Sequence, residues 1–178
     1  SHHLAAAKAT DAVFGVTPPP TGRKLRELAN SAAYLEEHIL HFYFLAGADF
    51  VMGPDADYSV RNVFGIAGAN PDLGRKVVKM RHMGAKMVET ICGKSIHPVA
   101  AVPGGFSKPL TEEERKQLLE MAKEQLEFAK FTISFAKESI FPKYLDVVKT
   151  LGVVETGFLG TVDKDGALNL YDGKQRMM

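Results

Sequence analysis

The chain has 178 residues, 46% of them hydrophobic and 24% charged, which suits one sizeable core and is too little for several domains. Lys and Arg number 22 against 21 Asp and Glu, so the net charge of +1 gives no global field for a nucleic acid or an anionic membrane. Cys92 is the sole cysteine, which excludes an intramolecular disulfide and any metal site of four cysteines, or of two cysteines and two histidines, within this chain.

No apolar run approaches the roughly 18 to 20 residues of a membrane span, and no basic-then-apolar leader is present, so a soluble, untargeted polypeptide is expected. The opening SHHLAAAKATD carries no initiator methionine and no cap, and reads as a segment of something longer; a tag remnant at Ser1, His2 and His3 is the bland alternative. Leu4 to Phe14 is alanine-rich and predicts a short helix stopped at Gly15, and the prolines 18–20 make a stiff turn. Leu25, Leu28, Ala32, Leu35, Ile39, Phe42 and Ala46 then recur at spacings of three and four, which predicts a helix with a packed seam. A second line, Tyr34, His38, His41 and Leu45, leaves the later half of that helix little polar surface and predicts burial on more than one side.

Glycines and a proline break the pattern over residues 46–69, which reads as loop with one helical turn near Ser59 to Phe64. Asn70 as cap, Pro71 at the first position and Asp72 in the first turn predict a helix to Cys92, stopped by Gly93, with the stripe Leu73, Val77, Met80, Gly84, Met87 and Ile91. Gly84 on that stripe marks a close helix approach. Residues 93–110, GKSIHPVAAVPGGFSKPL, form an irregular Gly/Pro-rich loop. Thr111 with Glu114 makes a capping box for a long helix with the seam Leu119, Ala122, Leu126, Ala129, Ile133, Ala136 and Ile140, thickened by Met121, Phe128, Phe131 and Phe135. After Pro142 a short helix ends at Gly152, and GFLGTV and ALNLY flank the turn DKDG as a hairpin. The fold class is mainly α: one domain, a helical bundle with two long helices over 1–152, a Gly/Pro-rich loop, and a small antiparallel β-ribbon over 153–178.

His38 and His41 lie three apart on one helix, so both imidazoles share a face and suit metal binding or proton relay, with buried hydrogen-bonded histidines as the ordinary alternative. One of Glu36 and Glu37 is expected to face inward beside them, a usual proton-transfer arrangement. His97 sits in the irregular loop, and Lys94 with its glycines lacks the spacing of a phosphate loop. Arg75, Lys76, Lys79, Arg81 and Lys86 form a basic face, solvated by default and a docking face in the sharper reading. Residue chemistry alone assigns no reaction.

Taken together, three ordered segments resemble the large, catalytic subunit of nickel-iron hydrogenases. His2 to Asp11 is similar to the stretch that follows the family's first cysteine pair; Lys24 to Leu45 resembles its second helix with a His-x-x-His-Phe-Tyr core; Gly93 to Gly105 resembles its Gly-Lys-x-x-His-Pro motif that closes with Gly-Gly. GTVDKDGALNLYDGK is similar to the ribbon of cytoplasmic members, and the viologen- and deazaflavin-reducing branch fits best. The resemblance implies a nickel-iron centre with cyanide and carbon monoxide ligands in the full subunit, held by four thiolates that are not in this segment. No metal is therefore expected on this segment alone, and no activity. It also implies that His2, Glu37, His38 and His41 surround the centre without ligating it, Glu37 standing where many members carry aspartate. His97, Lys94, Gly104 and Gly105 would face the iron-sulfur small subunit on its proximal-cluster side. Reversible heterolytic cleavage of H2 is the implied reaction. The implied partners are the small subunit, together with the rest of the large one; neither nucleic acid nor a membrane span is involved, and the cytoplasm is the implied location. A quinone-site scaffold of the respiratory complex I branch and a free-standing helical domain with a small histidine metal site are the alternatives.

Overall fold

The computed structural model describes residues 2–177, in two compact units divided between Ile140 and Phe141. The division falls beside Pro142. In the first unit α1 (His2–Phe14) ends at Gly15, which takes φ +63°, and α2 (Pro20–Ile39) starts on a proline whose missing N–H would have had no intrahelical partner. The helix does not stop at Ile39: a π-helical stretch, Leu40–Ala46, leads directly into α3 (Gly47–Val51). A Cβ built on Gly47 would stand 2.8 Å from the Phe42 carbonyl oxygen, so glycine is what lets that carbonyl approach five residues on.

The region read as loop therefore starts later than expected, and its helical turn lies further on, as α4 (Val63–Ala69). Asn62 displaces it: its side chain accepts the Phe64 and Gly65 N–H groups and so fixes the helix start. Next, α5 (Pro71–Cys92) follows the sequence reading, with Asn70 Oδ1 accepting from Leu73 N–H at 3.1 Å and Gly93 at φ +80°. Residues 93–110 contain one minimal hairpin, β1 (Ala101–Val102) against β2 (Gly105–Phe106), and α6 (Glu112–Phe135) opens on the Thr111–Glu114 capping box. A second π-helical stretch, Ala136–Ile140, closes the unit.

Three helices make the core. Ala29 and Ala32 of α2 pack with Met87, Val88, Ile91 and Cys92 of α5 and Leu118 of α6; Ile39 and Tyr43 pack with Val77, Met80 and Phe128. On α5 the predicted stripe is the buried one, but on α6 it is not. Leu119, Leu126 and Ile133 are 46%, 54% and 57% exposed, and Leu118 and Gln125, one position back from the first two, are buried in their place; Phe128 of the second predicted line is buried as read, as are Ala136 and Ile140 beyond the helix. The polar Gln125 occupies a core position because its side-chain N–H donates to the Met80 carbonyl at 2.7 Å, which an apolar count does not register.

Gly84 does mark a close approach. A Cβ there would lie 3.2 Å from both Cα and Cβ of Glu36, so α2 and α5 meet at a point with no room for a larger residue. Gly84→Leu is expected to lower stability by about 2 kcal/mol, the overpacking outweighing the gain in helix propensity. Chemical denaturation checks this; an unchanged midpoint would show that the helices can part at no cost.

The second unit holds α7 (Phe141–Thr150) and the ribbon β3 (Leu159–Val162) against β4 (Lys174–Met177), antiparallel with Leu159 opposite Met177 and Val162 opposite Lys174. The hairpin read from DKDG is corrected in its partner strand. Residues 167–171 make only a single bridge, Val162 to Leu168, because Asn169 turns the chain: its Oδ1 accepts from the Tyr171 and Asp172 N–H groups, and its carbonyl accepts from Thr161 Oγ1. The return strand is postponed to Lys174. Among the described residues, no helix is long and apolar enough to cross a membrane.

Candidate functional site

A cleft of about 1020 Å³ opens in the first unit, walled by the start of α1, by α2 from Arg26 onward, by Arg81 of α5 and by the loop Ser95 to Pro98. A concave site of this size that gathers several polar groups is where a ligand or cofactor is usually held. His2, Glu37, His38, His41 and His97 all line it, so residues scattered from 2 to 97 in sequence share one cleft. Lys94, Gly104 and Gly105 are not among the lining residues; Lys94 is exposed, and the two glycines sit in the turn and second strand of the hairpin.

The histidines are not buried. His38 and His41 are exposed on the cleft side of the helix, which corrects the expectation of a segment enclosed on more than one side, and Leu45 is 64% exposed. His38 Nδ1 lies 2.6 Å from the Tyr34 carbonyl oxygen and therefore donates to it, which orients the ring. Of the two glutamates, Glu37 is exposed and Glu36 is the buried one, ion-paired to Arg81, which also lines the cleft. The pairing removes Arg81 from the basic face of α5, and the others are answered too: Lys76 and Lys79 both reach Glu124, Arg75 reaches Asp72 and Lys86 reaches Glu89. Each cation of the basic face thus has a carboxylate of its own chain, which supports the solvated reading over a docking face.

A second polar group was missed in the sequence. Arg26 is buried with its side chain at 0% exposure, and its Nη2 lies 3.1 Å from Asp11 Oδ1. The Arg26 hydrogen bonds, helped by the Gly104 N–H, hold the Asp11 carboxyl below its usual range even though burial pushes it up. His3, rather than the exposed His2, reaches into the loop: its Nε2 accepts the Ala101 N–H at 3.1 Å, which requires a neutral ring, and burial lowers its pKa in the same sense. The available signal was spacing: Gly22, Arg26, Ala29, Ala32, Glu36 and Ile39 form the buried line of α2, and two of its six members are charged.

His97 has φ +56°, and among the described residues it is the non-glycine residue with positive φ. It precedes Pro98, so its conformation costs on the order of 1–2 kcal/mol and persists only where the surroundings over-determine it.

The donor set does not fit a nickel site within these residues. Among the described residues no three of His, Cys, Asp and Glu converge on a metal position. The Cys92 thiol is buried, and burial pushes its pKa up to about 11, the reverse of what a ligating thiolate needs. The arrangement can line a cleft and orient groups within it.

The Nickel-dependent hydrogenase family model matches residues 1–58. A vhu subunit of the F420-non-reducing hydrogenase of Methanocaldococcus jannaschii is 46% identical over all of this chain, and the match takes up 42% of that protein. The NAD-reducing hydrogenase HoxS subunit beta of Cupriavidus necator is 37% identical over 67% of this chain and 26% of its own length. Among solved structures, an NAD+-reducing [NiFe]-hydrogenase in the H2-reduced state superposes with a TM-score of 0.92 at 39% identity, covering 99% of this chain and 39% of that one. The Ni-Fe-Se hydrogenase of D. vulgaris Hildenborough superposes at 0.64 with 25% identity, over 93% of this chain and 38% of its own. The chain thus spans about two fifths of the curated relatives it matches most fully. Sequence identity carried from end to end, on the same backbone course, makes this chain a member of the nickel-dependent hydrogenase family and a part of its large subunit.

Proposed function

We propose that residues 1–178 form one wall of the catalytic subunit of a nickel-iron hydrogenase of the F420-non-reducing kind. The complete enzyme cleaves H2 reversibly and heterolytically and passes the electrons to iron-sulfur clusters of a partner subunit, in the cytoplasm. The single observation that carries the reading is the 46% identity sustained over the whole chain. A quinone-site scaffold has no specific observation in its favour, and a histidine metal site lacks a third ligand among the described residues.

In this reading the metals, with cyanide and carbon monoxide on the iron, are held by thiolates from polypeptide other than these residues, and the centre supplies the redox chemistry. This segment contributes the surroundings. His2, Glu37, His38 and His41 line the cleft wall, where they hold protons and fix hydrogen bonds without ligating; what supports this is their convergence on one cleft. His97 on the cleft rim, with Lys94, Gly104 and Gly105 in the same loop, faces the iron-sulfur partner. The test is hydrogen-dependent reduction of a viologen dye by the complete subunit purified anaerobically with its partner. Dye reduction under H2 is expected, and loaded, intact complex that leaves the dye oxidised would count against the assignment.

A further inference from the structure

The hairpin of residues 101–106 cannot hold itself. Each strand is two residues long, and a two-stranded ribbon of that size has no independent stability in water. Its backbone is tied down from outside. Arg26 Nε donates to the Gly105 carbonyl at 3.1 Å and Nη2 to the Val102 carbonyl at 2.8 Å, while the same guanidinium forks onto the Asp11 carboxylate. Asp11 Oδ1 in turn accepts the Gly104 N–H at 2.7 Å. One buried ion pair, contributed by α1 and α2, thus fixes three backbone groups of a loop more than seventy residues away.

The loop so held includes His97, the non-glycine residue with positive φ among the described residues. His97 keeps its left-handed backbone at the cleft rim, and the loop after it is also tied by Val99 N–H to the Cys92 carbonyl at 3.3 Å, Ser107 N–H to the Ala100 carbonyl at 2.7 Å and Ala101 N–H to His3 Nε2 at 3.1 Å. Arg26 itself also lines the cleft floor, with no exposure to exchange its partners for water. We propose that Arg26, with Asp11 as its counter-charge, is a positioning residue: it sets the place of the His97 segment over the cleft and thereby the rate of turnover, without touching the reacting atoms. The inference rests on the hydrogenase reading for its kinetic part and on this chain's own geometry for its structural part.

Lysine keeps the charge at position 26, but its three donors radiate from one nitrogen and cannot span both carboxylate oxygens and both carbonyls as the guanidinium does with four bonds. In the complete heteromeric enzyme, Arg26→Lys is expected to raise amide hydrogen exchange at Gly104, whose N–H is held by Asp11, about a hundredfold while Val88 and Ile91 of α5 stay protected. Turnover per bound nickel is expected to fall about tenfold. Dividing by bound nickel separates positioning from folding, since a residue that serves folding alone lowers the yield of loaded enzyme and leaves its turnover intact. Unchanged protection at Gly104, or lost protection with turnover per nickel unchanged, would overturn the proposal. If the unsubstituted complex consumes no H2, the hydrogenase reading fails, and the exchange data still decide whether Arg26 holds the loop. Should Arg26→Lys not assemble, Asp11→Asn is read in the same way, because it removes the counter-charge and keeps an acceptor for the Gly104 N–H.

Discussion

Asp11→Ala destabilises this chain by about 3–5 kcal/mol. The substitution takes the Asp11 carboxylate away from the fully enclosed Arg26 guanidinium, and the buried charge that loses this compensation is where the loss comes from, more than from any net attraction in the pair. The pH dependence carries a sign that can be checked. Because the folded Asp11 pKa is lowered, its contribution is whole above the unfolded carboxyl value of about 4 and is lost as pH falls through the lower folded value. Acid titration of the unfolding free energy is therefore expected to show a component in the original chain that is absent from Asp11→Ala. A loss below about 1 kcal/mol would mean that water reaches Arg26 and that the loop 101–106 is held by something else.

Phe128→Ala has an effect of similar size by a different route, about 3–4 kcal/mol from lost burial and the cavity left behind. Phe128 is 4% exposed, and its ring stacks on Tyr43 at 5.4 Å between centroids. The Tyr43 hydroxyl shares a hydrogen bond with Thr132 at 2.8 Å, so the same contact anchors the π-helical stretch that follows the cleft-lining part of α2. Phe131 stacks on Phe128 but is 48% exposed, and Phe131→Ala is expected to cost under about 1 kcal/mol. Equal effects of the two substitutions would contradict the core as described.

How much of this was legible in the sequence depended on where charge sits. The α5 stripe and its caps were read correctly because apolar residues, Asn70, Pro71 and Gly93 all act locally. On α2 and α6 the apolar count slipped around the helix, since Arg26, Glu36 and Gln125 occupy core positions that only distant partners make tolerable: Asp11, Arg81 and the Met80 carbonyl. Two of them, Arg26 and Glu36, also line the cleft. Spacing correctly placed His38 and His41 on one face and gave no hint that the face is open to a cleft, because the opposite wall comes from residues 95–98. The ribbon went astray at Asn169, where a side chain that caps its own turn looks, by alternation alone, like part of a strand.

The central claim is that these residues surround a nickel-iron centre and ligate none of it. Metal analysis of the complete subunit carrying Cys92→Ala, purified anaerobically with its partner, tests that claim at the sole thiol of the segment. Nickel is expected to be bound to the same extent as in the unsubstituted complex; loss of nickel on that substitution, or an unsubstituted complex that holds no nickel at all, would contradict it.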